Sequence, residues 1–253
     1  GGKVLATAEE TIRKLPAPET GNEVRVDESG NVLVNGEPFV AIGWYGSVPT
    51  EDPRADVVAL QNLQTPVVPV DRNTTGLQEA FAKHGIYSVV SIENGRLTYI
   101  FNLWRDPKST VPDEIKTLSE PSEEAKRYFR ELIELVRGEP GLVGYYIADE
   151  PEINNSRSDY LEALYRLFCE EDPYHPVMVT NDTLDGIVTH GYKCADILAP
   201  DPYSRNFDYV PNCMKRCREV MGPGQTIMLT PWHSSSQAHT TADYGSAPPY
   251  PYK

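Results

Sequence analysis

The chain lacks any hydrophobic run near the roughly 18 to 20 uncharged residues that a membrane-spanning helix needs. Its N-terminus has no basic stretch leading into an apolar one, so neither a membrane span nor a signal segment is expected. It also lacks a basic stripe: 37 acidic residues against 23 basic ones leave a net charge of −14 over 253 residues, which repels phosphate backbones and argues against a nucleic-acid partner. Cysteine is scarce, with four residues, and no C-x-x-C pair or zinc-spaced Cys/His set occurs. A G-x-S-x-G elbow, an H-E-x-x-H helix, a Walker loop and a dinucleotide G-x-G-x-x-G are all missing, which disfavours serine hydrolase, zinc hydrolase and nucleotide chemistry. No metal and no cofactor is expected. What is present, 40% hydrophobic and 24% charged residues, is the composition of a folded domain with a sizeable core.

Organisation follows from periodicity. Val24-Arg-Val26, a turn-rich Asp27–Asn31 and Val32-Leu-Val34 predict a β-hairpin serving as a small lid or floor. The segment 39–44 then reads as a buried strand. Strand-like runs follow at 66–70, 86–92, 142–147, 176–180, 197–200 and 226–230, with helical periodicity over 75–84, 122–137, 158–171 and 209–221. In the second of these helices Tyr128, Leu132, Ile133, Leu135 and Val136 form one apolar face, and Ser122 followed by two glutamates suits an N-terminal cap. Gly85 and Gly138 fall where a left-handed residue ends a helix. Cys213 and Cys217, four apart on the last helix, read as buried thiols. The acidic stretches 120–124 and 170–172 read as solvated faces.

Apolar strands alternating with amphipathic helices predict an α/β fold with a parallel sheet, and the (β/α)8 barrel is preferred to a doubly wound sheet because of how the strands end. Nearly every one finishes in polar or aromatic residues: Trp44-Tyr45, Asp71-Arg72, Glu93-Asn94, Asp149-Glu150, Asn181-Asp182, Asp201 to Tyr203 and Trp232-His233. In a barrel those ends converge on one mouth. The strand count stops at seven, so the barrel is incomplete at its C-terminus, completed by a missing C-terminal polypeptide, or closed atypically. The expected division is an N-terminal segment 1–23, a catalytic barrel with its hairpin over 24–233, and a Ser/Tyr/Pro-rich tail over 234–253.

The sharpest motif is Gly141-Leu-Val-Gly-Tyr-Tyr-Ile-Ala-Asp149-Glu150-Pro151-Glu152. A buried strand carries two adjacent carboxylates to its end, and Pro151 is expected to hold Glu150 extended. Partial desolvation there raises a carboxyl pKa toward the range useful to a general acid. A helix-capping role, or an ion pair with an arginine such as Arg157, is the competing reading.

These residues, with Asn35-Gly-Glu-Pro-Phe-Val-Ala-Ile-Gly-Trp-Tyr, Asp172-Pro-Tyr-His-Pro and Ala195-Asp-Ile-Leu-Ala-Pro-Asp-Pro-Tyr, resemble the TIM-barrel glycoside hydrolases over about residues 24 to 233. The resemblance implies a carbohydrate substrate, an extracellular location and an acid/base at Glu150, after the fourth strand, with Asp149 beside it. It implies that Tyr203 lies near the nucleophile and that Trp44 and Trp232 stack on sugar faces. Tyr45, Asp71, Glu93, Asn181, Asp201 and His233 complete the expected substrate-binding set. One departure stands out. The seventh strand, where retaining members carry a nucleophilic glutamate, ends here in Thr230-Pro-Trp-His233 with no carboxylate. Three alternatives remain open: a nucleophile outside this chain, inversion with Asp201, Glu93 or Asp71 as base, or a substrate-assisted mechanism on 2-acetamido sugars using the Asp149-Glu150 pair. A non-catalytic carbohydrate-binding barrel or an inactive fragment is the reading from a different class.

Overall fold

The structure, a computed structural model, describes residues 19–45, 62–67, 85–91, 111–201 and 208–229. It opens with β1 (Val24–Val26), β2 (Val32–Val34) and β3 (Glu37–Pro38), an antiparallel meander. The expected hairpin loop is closed by Asp27, whose Oδ1 accepts from the N–H groups of Ser29 at 2.9 Å and Asn31 at 2.8 Å. The third strand was not anticipated. It follows a tight turn at Asn35-Gly36 with φ of 52° and 85°, the left-handed pair that favours Asn-Gly in two-residue hairpins.

The remaining strands are β4 (Gly43–Tyr45), β5 (Leu63–Val67), β6 (Tyr87–Ser91), β7 (Leu142–Asp149), β8 (Val177–Asn181), β9 (Ile197–Pro200) and β10 (Thr226–Ile227). They form one sheet in the order β10-β9-β8-β7-β6-β5-β4, with every pairing parallel. Consecutive strands are neighbours throughout and the order never reverses, so there is no switch point of the doubly wound kind. Among the described residues β4 and β10 each pair on one side only, so closure into a barrel lies beyond what is described. Two strands are displaced from expectation. The segment 39–42 is irregular, with Val40 and Ile42 largely exposed, and β5 begins at Leu63 rather than at Pro66.

The helices are α1 (Val111–Thr117), α2 (Glu123–Val136), α3 (Ser158–Glu171) and α4 (Tyr209–Val220); the helix expected over 75–84 lies outside the described residues. Ser122 caps α2, accepting from the Ala125 N–H at 3.1 Å, and the helix buries Ala125, Tyr128, Phe129, Leu132, Ile133 and Val136. Phe129, Leu132, Ile133 and Val136 each contribute roughly 1.5 to 3 kcal/mol of transfer free energy. Gly85 takes the expected left-handed φ of 72°. Gly138 does not; it packs beneath Thr20 Oγ1, which lies 3.0 Å from where a Cβ would stand. Cys213 and Cys217 are buried free thiols, and burial raises both pKa values, to about 11 and about 12. No helix among the described residues is long and apolar enough to cross a membrane.

Alternation along the strands divides the core. Val90, Val177, Val179 and Leu198 face the helices, while Val89, Val143, Tyr146, Met178, Ile197 and Ala199 form the opposite layer together with Val24, Val32 and Val34 of the meander. The meander is a floor. Val24 N–H donates to Tyr174 O at 2.8 Å, Asn22 Nδ2 to Leu142 O at 3.3 Å and Thr226 Oγ1 to Gly30 O at 2.6 Å, all at the N-terminal ends of the parallel strands. The stretch 170–172 corrects an expectation. Glu170 is exposed, but Asp172 is 2% exposed and accepts from Tyr145 Oη at 2.6 Å, His175 Nδ1 at 2.7 Å and Tyr174 N–H at 3.1 Å. It ties β7 to β8 at the floor end.

Candidate functional site

Seven of the eight residues of β7 are buried, since strands flank it on both sides and apolar layers cover both faces. Exposure begins at Asp149. The Glu150 N–H still belongs to the sheet, donating to Thr180 O at 3.1 Å, and then the chain turns sharply. Glu150 is not extended, as its position before Pro151 had suggested: its φ is 42°, in the left-handed region, a placement that costs a non-glycine residue on the order of 1 kcal/mol. The turn explains the difference, because the Glu150 carbonyl accepts from both Ile153 and Asn154 N–H groups at 3.0 Å. Asn154 Nδ2 also donates to Asp149 O at 2.9 Å. Such a reversal is out of reach for an extended residue.

The site is electrostatically one-sided. Glu150 is half-buried, and among the described residues none donates a hydrogen bond to its carboxyl. Its pKa is pushed up to about 7, first by burial and then by the charges of Asp149, Asp182 and Glu152. The guanidinium considered as a partner is engaged elsewhere: Arg157 forms a two-pronged pair with Asp159, at 3.0 and 2.6 Å. Asp149 accepts the Tyr146 hydroxyl at its Oδ1. Glu152 is gripped through both oxygens, by Thr183 N–H at 3.0 Å, Thr183 Oγ1 at 3.2 Å and Asn181 Nδ2 at 2.8 Å. A half-buried carboxyl held near neutrality can give or take a proton at physiological pH. The described residues contain no cluster of His, Cys, Asp or Glu arranged to hold a metal ion.

Of the residues expected at the mouth, Asp149, Glu150, Asn181 and Asp201 come from the ends of the adjacent strands β7, β8 and β9. Asn181 and Asp201 are buried, and the Asp201 N–H donates to Asn181 O at 2.9 Å. The Asn181 amide is committed to Glu152. Trp44 and Tyr45 close β4, but their side chains, together with Asp71, Glu93, Tyr203, Trp232 and His233, lie outside the described residues. Glu152 and Asp182 had been given no role. The signals were the Glu150-Pro-Glu152 spacing and the position of Asp182 one residue beyond β8. Beyond β8 the chain continues into a helical turn, Leu184–Gly186, and a π-helical stretch, Ile187–Gly191. A hollow of about 390 Å³ on the outer face of α2 is lined by Arg130, Arg137 and their partners. Both arginines are already paired, with Glu171 and Glu134, so it offers no unmet charge to a ligand.

No protein-family model matches the chain, and no curated protein matches it in sequence. Solved structures do resemble it. The GH2 β-galacturonidase of Eisenbergiella tayi bound to galacturonate superposes with a TM-score of 0.55 at 16% identity, covering 87% of this chain and 40% of that one. Bacteroides uniformis β-glucuronidase 2 gives 0.53 at 14% identity, covering 81% and 26%, and the β-D-glucuronidase of Dictyoglomus thermophilum gives 0.50 at 14%, covering 82% and 38%. The chain thus spans between about a quarter and two-fifths of the length of these proteins. A parallel α/β sheet floored by a small antiparallel one is the fold the chain shares with the TIM-barrel domains of these glycoside hydrolases.

Proposed function

We propose that the chain is a glycoside hydrolase domain in which Glu150 protonates the glycosidic oxygen. One observation carries the reading: a half-buried glutamate at the C-terminal end of the fourth parallel strand, facing other carboxylates and with a pKa near 7. Near neutral pH a substantial fraction of such a group is protonated when substrate arrives. Giving it to the leaving oxygen lets the C–O bond break without expelling an alkoxide, as an oxocarbenium-like centre develops on the sugar. Water then attacks that centre. In an inverting reaction Asp201, Glu93 or Asp71 takes the proton from water, at a carboxyl separation of roughly 6.5 to 9.5 Å from Glu150. In a retaining reaction a carboxylate about 5 to 5.5 Å away forms a covalent intermediate instead, and a C-terminal polypeptide completing the barrel could supply it. Trp44, Tyr45, Tyr203, Trp232 and His233 are assigned to sugar binding, while the buried Asn181, expected there too, is taken up by Glu152.

A second reading is favoured by the Tyr146–Asp149 contact. A fixed aspartate beside the acid suits orientation of a substrate's 2-acetamido group as internal nucleophile, which needs no further protein carboxylate. Turnover of aryl glycosides by the native chain and by Glu150→Gln tests the main proposal; a loss of roughly 10² to 10⁴-fold is expected. Equal turnover by both proteins rejects it. Exclusive activity on 2-acetamido glycosides selects the second reading, and calorimetric binding of sugars without product identifies a carbohydrate-binding barrel.

A further inference from the structure

We infer that Glu152 is a positioning residue for Glu150, fastening the turn that presents Glu150 to the exit of β8; the inference rests on the reading of Glu150 as proton donor. Three residues beyond a strand end, a glutamate would ordinarily be solvated. Here three described donors reach Glu152, from Asn181 and Thr183 at the exit of the neighbouring strand β8. Thr183 is itself fixed, because its Oγ1 accepts from the Gly186 N–H at 2.9 Å while donating to Glu152. Gly186 closes over the carboxylate so tightly that a Cβ there would stand 2.1 Å from Glu152 Oε1.

The turn needs such an anchor. Glu150 occupies the left-handed region, Pro151 brings no N–H, and the turn's own described bonds are all local: from Ile153 and Asn154 N–H to Glu150 O, from Asn154 Nδ2 to Asp149 O and from Ser156 N–H to Pro151 O. Without the Glu152 anchor only the Glu150 N–H bond to Thr180 O, among those described, would tie this turn to β8, and the strained Glu150 would shift its carboxyl relative to the strand ends. The anchor also fixes a negative charge. Glu150 faces Asp149 from β7, Glu152 from the turn and Asp182 from the end of β8. Among the described residues no cation offsets these charges, and Arg157 is paired with Asp159. Glu152 therefore helps fix the place of Glu150 and adds, after burial, Asp149 and Asp182, to its hold on a proton.

The test compares the native chain with Glu152→Ala, which removes all three bonds, and Glu152→Gln, which removes the charge at nearly constant volume. With an aryl glycoside, Glu152→Ala is expected to lose about 10 to 100-fold in kcat with KM changed less than about 2-fold. Glu152→Gln is expected to move the high-pH limb of the activity profile downward, since Glu150 then gives up its proton at lower pH. Carboxyl-carbon NMR of labelled Glu150 reads the same shift without turnover. An unchanged Glu150 midpoint and unchanged kcat, with only a lower melting temperature, would reduce Glu152 to a structural brace and overturn the inference. If the native chain hydrolyses no glycoside, the proposed activity fails by itself, and the midpoint comparison still decides the role of Glu152. Should Glu152→Ala fail to fold, Glu152→Gln and Thr183→Val decide in its place.

Discussion

Asp172 and Glu150 sit at opposite ends of the β7–β8 pair, and for both of them the largest influence on the proton is burial, which favours the neutral form. The outcomes are opposite. At the floor, hydrogen bonds from His175, Tyr145 and Tyr174 outweigh burial and hold Asp172 below its ordinary value. At the mouth, no described donor reaches Glu150, and neighbouring carboxylates add to burial. Whether a buried carboxyl serves as a strut or as an acid is thus decided by the donors aimed at it, more than by its depth.

The largest effects expected pull the two ends apart. Glu150→Gln should abolish nearly all turnover and leave the melting temperature unchanged or raised, because it removes like-charge repulsion. Asp172→Ala should do the reverse. It leaves the Tyr145 hydroxyl and the His175 Nδ1 buried without their acceptor, which costs about 2 to 4 kcal/mol in denaturant unfolding, while kcat of the folded fraction is kept. Loss of turnover in Asp172→Ala at full folding would dissolve the contrast.

A smaller effect sharpens it through pH. Glu150 has its folded pKa raised from 4.5 to about 7, so its contribution to stability is complete below the unfolded value and is lost as pH climbs through the folded one. Asp172 is lowered from 3.8, so its contribution is present above that value and is lost as pH falls through the folded one. Between about pH 5 and pH 8 the native chain should lose roughly 1 kcal/mol that Glu150→Gln does not lose, allowing for solvent screening of a partly exposed group. Identical pH–stability curves for the two proteins in that window would show that Glu150 carries no excess proton affinity.

The same contrast explains what could be read from the sequence. Helix α3 was expected at the residues it occupies, and β9 likewise, because long-range packing there agrees with local periodicity. The parallel order of strands followed from their spacing, and Glu150 from its place at a strand end. Asp172 was misread because two glutamates precede it; the nearby clue, a tyrosine within the buried β7, becomes a partner only after β7 and β8 pair. The clamp on Glu152 was hidden for the same reason, as its donors lie 29 and 31 residues away in the chain; the left-handed turn at Glu150, closed by donors three and four residues on, was hidden instead by Pro151, which favours an extended residue before it. Helix α1 escaped notice because Pro112 reads as a breaker, although its place in the first turn is one that proline tolerates.

The smallest effect locates the border between the two regions. Tyr146 belongs to both: its ring lies in the layer shared with the floor residues Val24, Val32 and Val34, and its hydroxyl donates to Asp149 at the mouth. Removing the hydroxyl in Tyr146→Phe keeps the ring, so the packing it provides should survive and the unfolding free energy should fall by no more than about 1 kcal/mol. Asp149 loses the donor that orients it. If the aspartate acts on substrate, kcat should drop by about 5 to 10-fold, the equivalent of one hydrogen bond. The loss should be greater on 2-acetamido glycosides than on simple glycosides if Asp149 steers an acetamido group. An equal loss on both would make Asp149 an electrostatic neighbour of Glu150 alone, and no loss at all would place the whole of Tyr146 on the floor side of the border.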